Sequence, residues 1–126
     1  QNPRTIVIQK LYGHDLNKDS EITFPKHRYK KFIRDVVNGT IERWELIQNL
    51  MDRELKEDIN ENKTVLIIKL MIMAAIYEFM FMHKTPVKVV ISEYLKTADF
   101  FVQESQKAYL NAILEKVSKV SRIKNG

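Results

Sequence analysis

Apolar residues recur along this chain at the three- and four-residue spacing of helices, and one stretch departs from that pattern by being apolar on every side. From Pro3, a residue suited to a first helical turn, Ile6, Val7, Ile8, Leu11, Tyr12 and Leu16 predict a first helix. Arg4 and Lys10 are left for its polar side, and Gly13 is a weak point within it. The polar run from Asn17 to Pro25 predicts a loop. A second helix is predicted to start near Pro25, with Tyr29, Phe32, Ile33, Val36 and Val37 as its apolar stripe. Asn38-Gly39-Thr40 reads as a stop and restart, so a third helix is expected from Ile41 to Lys56, with Trp44, Ile47, Leu50, Met51 and Leu55 inward.

The polar hinge Glu57–Asn62 leads into the exceptional stretch, Val65 to Met82, VLIIKLMIMAAIYEFMFM, whose charges are Lys69 and Glu78. A helix hydrophobic all round is either buried in a protein or spans a membrane. Two charges in a span cost roughly 2.5–3.5 kcal/mol each at its centre, and every other element is amphipathic, so the reading is a central helix covered by the rest. Beyond it Thr85 and Pro86 open a fifth helix, with Val87, Val90, Ile91, Tyr94, Leu95 and Ala98 as its stripe. Ser105 can cap a sixth carrying Ala108, Tyr109, Ala112, Ile113 and Val117, and the basic tail from Ser118 to Gly126 is expected to fray. Only the segment VKVVI, from Val87 to Ile91, has marked β propensity.

Composition agrees with a single all-α domain of 126 residues, 44% hydrophobic, with three Gly and three Pro. Absence of cysteine excludes disulfides, a thiol nucleophile and a Cys-type zinc site, and suits a reducing cytoplasm. Gln1 is no natural start, so residues are expected to precede it; no signal-peptide pattern is visible. The net charge of +5 is confined to one end. Residues 1–34 hold Arg4, Lys10, Lys18, Lys26, Arg28, Lys30, Lys31 and Arg34 against Asp15, Asp19 and Glu21, while the remainder is balanced. That asymmetry points to an anionic partner, nucleic acid before membrane, with a merely solvated face as the plain alternative.

Signals for catalysis are poor. His14, His27 and His83 have no metal-ligand spacing, and nothing implies a metal or a cofactor. Glu78 and Glu93 lie on consecutive helices, but a carboxylate pair without a further partner is a weak acid–base motif. No phosphate-cradling Gly loop is present, so the chain reads as a binding module, not an enzyme. The first helix offers cations, amide and ring for exposed RNA bases and phosphates in Arg4, Gln9, Lys10 and Tyr12.

Three segments, AAIYEF from Ala74, TPVKVVISEYLKTADFF from Thr85 and AYLNAILEKV from Ala108, closely resemble the NusB family of bacterial transcription antitermination factors. The family pattern, A-x-Y-E-L, then V-P-x-K-V-x-I-N-E-A, L-A-K and F-V-N-G-V-L-D, is met by Tyr77-Glu78, Pro86, Lys88-Val89, Ile91, Glu93, Ala98, Asn111 and Leu114. IQKLYGHDL, from Ile8, is similar to the family's V-Q-A-L-Y-x-x-x-L, and YKKFIRDVVNGT, from Tyr29, fits its second-helix region. The resemblance runs collinearly over nearly the whole chain. Met73 stands where members usually have Arg, so any ion pair made by that Arg is absent; Tyr109 replaces a Phe and Ala112 a Gly. The family's arginine-rich run before the first helix is represented only by Arg4.

The resemblance implies an all-α fold of two small packed helical bundles, six to seven helices in all. It implies a cytoplasmic, non-enzymatic factor that binds boxA-type single-stranded RNA together with the ribosomal protein NusE and joins the RNA polymerase antitermination complex for ribosomal RNA transcription. Carried over residue by residue, Arg4, Gln9, Lys10, Lys107 and Asn111 would meet RNA, and Tyr12 and Glu78 would meet NusE. Self-association through the NusE-binding surface occurs in the family, so a homodimer is among the states it allows. Two alternatives stay open: the NusB-like N-terminal domain of a ribosomal RNA cytosine methyltransferase, whose catalytic part this chain would lack, and a helical protein-interaction scaffold without RNA binding.

Overall fold

The computed structural model describes residues 2–59 and 65–123, without the side chain of Ile123. Six helices make up the described fold: α1 (Pro3–Leu16), α2 (Lys30–Glu42), α3 (Trp44–Glu54), α4 (Leu66–Phe81), α5 (Val87–Phe101) and α6 (Glu104–Ile123). No strand occurs among the described residues, and the β-prone VKVVI segment lies inside α5. α4 packs against each of the other five helices; α1 also pairs with α2 and α5, α2 with α3, and α5 with α6. Every residue from Leu70 to Ile76 is buried. Each large apolar side chain so enclosed contributes about 1.5–3 kcal/mol relative to exposure. A helix covered on all sides has no face left for polar residues, which accounts for the unbroken apolar run. No helix among the described residues is long and apolar enough to cross a membrane.

Three boundaries differ from the sequence pattern, each for a local reason. α2 starts at Lys30 instead of Pro25. The preceding turn is held by His27, whose Nδ1 accepts from the Tyr29 amide at 2.9 Å and whose carbonyl accepts from the Lys30 amide at 3.1 Å. Asn38-Gly39-Thr40 does not stop the helix, which continues to Glu42 before a break at Arg43. Gly39 is buried there because the Tyr77 ring of α4 lies where a Cβ would stand. The glycine thus serves close helix packing, not a turn. The hinge predicted at Glu57–Asn62 is described only in part; Leu55 to Asp58 forms a turn, and residues 60–64 lie outside the described residues.

α6 is rotated relative to the expected stripe. Leu110, Ile113, Leu114, Val117 and Ser121 are buried, whereas Ala108 and Ala112 are exposed. Burying leucines instead of alanines removes more apolar surface from water, which decides the rotation. The tail does not fray through Arg122. Ser121 is buried and donates to the Val117 carbonyl at 2.6 Å, and the Arg122 guanidinium donates to Phe79 O at 2.7 Å and Thr85 O at 3.1 Å, at the end of α4 and just beyond. Residues 124–126 lie outside the described residues. At the far edge, the Tyr109 hydroxyl donates to Asp58 O and the Lys116 ammonium meets the Asp58 carboxylate, both at 2.6 Å, tying α6 to the turn after α3.

Gly13 contrasts with Gly39. It sits exposed in α1, its φ is not positive, and a Cβ there would touch nothing within 4 Å. Gly13→Ala is therefore expected to stabilise the fold by about 0.5–1 kcal/mol, read as a higher denaturation midpoint at unchanged m-value.

Candidate functional site

The first turn of α1 delivers a cation to the interior. Asn2 caps the helix by accepting from the Arg4 amide at 2.8 Å, Pro3 follows it, and the Arg4 side chain turns inward to 7% exposure. Its guanidinium grips Glu78 of α4 with two parallel bonds, Nε to Oε2 at 3.0 Å and Nη2 to Oε1 at 2.6 Å. Glu78 is fully buried. Phe32 of α2 lies under the guanidinium at 4.7 Å, Tyr94 of α5 at 5.5 Å, and Glu93 of α5 approaches it at 3.8 Å. Four helices thus converge on one forked ion pair, the geometry in which Arg binds carboxylate most strongly. Glu93 is shared with Lys96 at 3.1 Å.

Burial alone would lower the Arg4 pKa, but the hydrogen bond and charge of Glu78, aided by Tyr94 and Glu93, hold it above its ordinary value. Burial, then the Glu78 charge, pushes the Tyr94 phenol well above its usual range, against the opposing effect of Arg4. Both carboxylates, Glu78 and Glu93, approach the Arg4 guanidinium. Glu78, however, is spent on Arg4 and closed off from solvent, an arrangement that braces helices and offers no acid–base chemistry to a substrate.

The Tyr94 hydroxyl is buried and makes no hydrogen bond among the described residues. Because its folded pKa is raised, the stability it supports is complete below the unfolded phenol pKa of about 10 and declines as pH rises beyond it. Tyr94→Phe is expected to keep or slightly raise stability at neutral pH and to flatten the fall above pH ~10, measured by denaturation across alkaline pH.

This placement corrects two expectations. Arg4 is not on the polar side of α1 and does not present its guanidinium to an RNA phosphate; Glu78 does not surface to meet a protein partner. Met73, where the family usually has Arg, is buried, and Glu78 draws its cation from α1. The remaining residues lie outward. Gln9 and Tyr12 are exposed and Lys10 is half-buried on α1. Lys107 and Asn111 are one turn apart on α6, both half-buried. Lys107 meets Asp99 at 2.7 Å, and that hydrogen bond raises its pKa. It also lines a groove of about 490 Å³ between α5 and α6 with Lys88, Lys96, Ile91 and Leu95. No hydrogen bond or ion pair among the described residues links Gln9 or Lys10 to Lys107 or Asn111. The three histidines form no metal-binding group among the described residues.

One cluster escaped the reading by motif. Lys26, Arg28, Tyr29, Lys30, Lys31 and Arg34 are all exposed, and no acid occurs between Ile22 and Arg34. The charge excess of the first 34 residues signalled it, as did the apolar stripe of the second helix, which leaves Arg28, Lys30, Lys31 and Arg34 for the other side.

Compared with known proteins, residues 1–119 match the model of the NusB family. The chain is 32% identical over 124 residues to a protein of Coxiella burnetii (strain CbuK_Q154) named transcription antitermination protein NusB, covering 98% of this chain and 80% of that relative. A protein of the same name from Bradyrhizobium sp. (strain ORS 278) is 30% identical over 116 residues, covering 92% and 69%. The solved structure of T. maritima NusB superposes with a TM-score of 0.78 at 22% identity, over 94% of this chain and 91% of that one, a likeness of fold.

Proposed function

The chain belongs to the NusB family of transcription antitermination proteins, which are not enzymes, and from that premise we propose that it binds boxA-type single-stranded RNA jointly with ribosomal protein NusE. The complex would join RNA polymerase in the cytoplasm and sustain transcription of ribosomal RNA. One observation carries the RNA half of this reading: the N-terminal cation excess stays outside and unspent. Lys10, Lys18, Lys26, Lys30 and Arg34 make no ion pair among the described residues, so they remain available to replace the counterions of an RNA backbone.

In this reading Lys10 meets phosphate and Gln9 a base or sugar edge. Lys107 and Asn111 add contacts from α6, Lys107 exchanging Asp99 for phosphate. Tyr12, an exposed ring on α1, serves the NusE contact. Arg4 and Glu78 act from behind by fixing α1 against α4 and α5.

Titration of a labelled boxA-type RNA tests this directly. Affinity is expected to fall linearly in log salt with a slope near −0.7 per phosphate contact, to weaken several-fold in Lys10→Glu, and to tighten when NusE is added. Affinity indifferent to both salt and NusE would sink the reading in favour of a helical scaffold.

A further inference from the structure

We infer that Lys26, Arg28, Tyr29, Lys30 and Arg34 form a second contact surface for single-stranded RNA, with the four cations on phosphates and the Tyr29 ring on a base. The inference rests on the RNA-binding reading above, which counted Lys26, Lys30 and Arg34 only as excess charge, and deepens it by giving them a surface of their own, the connector ahead of α2 and the outer face of α2.

The surface is built, not merely charged. Ile22 and Phe24 of the connector pack against the core and anchor it. His27 holds the next turn through its Nδ1 and its carbonyl, so residues 26–29 have a defined course. The Arg28 guanidinium lies 5.4 Å over the Tyr29 ring, keeping two planar groups together at the surface, and Tyr29 is 47% exposed. α2 buries Ile33, Val36 and Val37 and turns Lys30 and Arg34 outward, one turn apart on one face. Lys31 is the member already satisfied, by Asp35 at 2.6 Å. Lys26, Arg28, Lys30 and Arg34 make no ion pair among the described residues.

Position links this surface to α1. Phe32, between these cations in sequence, lies against Arg4, so the first turns of α1 and α2 stand side by side. The run from Ile22 through Arg34, which joins the connector to the first turns of α2, carries no acid. The chemistry favours RNA. A cation beside an exposed ring is the pairing that single strands use, phosphate on charge and base on ring. A membrane would require apolar side chains to insert, and Tyr29 is the one large exposed apolar residue of the surface.

The test uses the full chain with boxA-type RNA in the presence of NusE, and compares Lys30→Ala/Arg34→Ala, Tyr29→Ala and Lys10→Glu. All alter exposed or half-exposed positions, and circular dichroism confirms folding. The double variant is expected to bind several-fold more weakly and to flatten the log–log salt slope by about 1.4, two contacts at ~0.7 each. Tyr29→Ala is expected to weaken binding at least about fivefold with the salt slope retained. If Lys10→Glu weakens binding while the α2 and Tyr29 variants match the unaltered protein, this surface is overturned and the proposed function stands. Absence of RNA binding by the unaltered protein overturns both. Loss of adsorption to phosphatidylserine vesicles in the variants, with RNA affinity unchanged, would assign the surface to a membrane and overturn the inference.

Discussion

Glu78→Ala is expected to cost about 3–5 kcal/mol of folding stability, because it strands the Arg4 guanidinium in the interior with its fork unmatched. Against the 5–15 kcal/mol typical of a domain, that is a large share. Urea denaturation gives the value directly. The converse variant separates a pairing effect from a cavity: Arg4→Met with Glu78→Leu replaces both charges by apolar groups and is expected to recover most of the loss. A loss below about 1 kcal/mol in the single variant would show that the pair contributes no more than a surface bridge. The proposed role in function predicts a second consequence. A loosened α1 presents Lys10 and Gln9 less uniformly, so Glu78→Ala should also weaken RNA binding under conditions where it is still folded.

The second large effect belongs to Arg122, far along the chain. α4 ends at Phe81 with carbonyls that no further helical turn can satisfy. Arg122 on α6 donates to Phe79 O at 2.7 Å, to Thr85 O beyond the helix end at 3.1 Å and, at 3.3 Å, to Glu78 O, which also accepts from the Met82 amide. Arg122→Ala is expected to destabilise by about 2–3 kcal/mol, since charge-assisted donors are lost together. Protection of the Met82 amide, which donates to Glu78 O at 2.9 Å, should fall in hydrogen exchange. Arg122→Lys is expected to restore only part, because an ammonium cannot fork across separated carbonyls.

These two arginines show where reading from sequence stops. Helices were legible because their stripes repeat every three to four residues, a property of neighbours in the chain. Their ends were less legible because Pro25 and Gly39 carry signals that other residues override: His27, two residues after Pro25, shapes the turn before α2, and Tyr77, distant in sequence, claims the space above Gly39. Arg4 and Glu78 are 74 residues apart, and no local pattern pairs them. A signal did exist. A lone carboxylate inside an apolar helix needs a cation, Met73 stands where the family usually has Arg, and Arg4 stands directly before the buried run Thr5 to Ile8. Arg122 offered less, since a basic tail is ordinarily solvated.

The sequence by itself determined an all-α chain with a thoroughly apolar fourth helix and its excess charge at the N-terminal end, because periodicity and composition belong to the chain in any conformation. Tertiary structure alone decided which of those charges are free. Whether a cation is spent inside or offered outside depends on what distant elements place beside it: Arg4 found Glu78, Arg122 found the end of α4, and Lys10, Lys26, Lys30 and Arg34 found no acid.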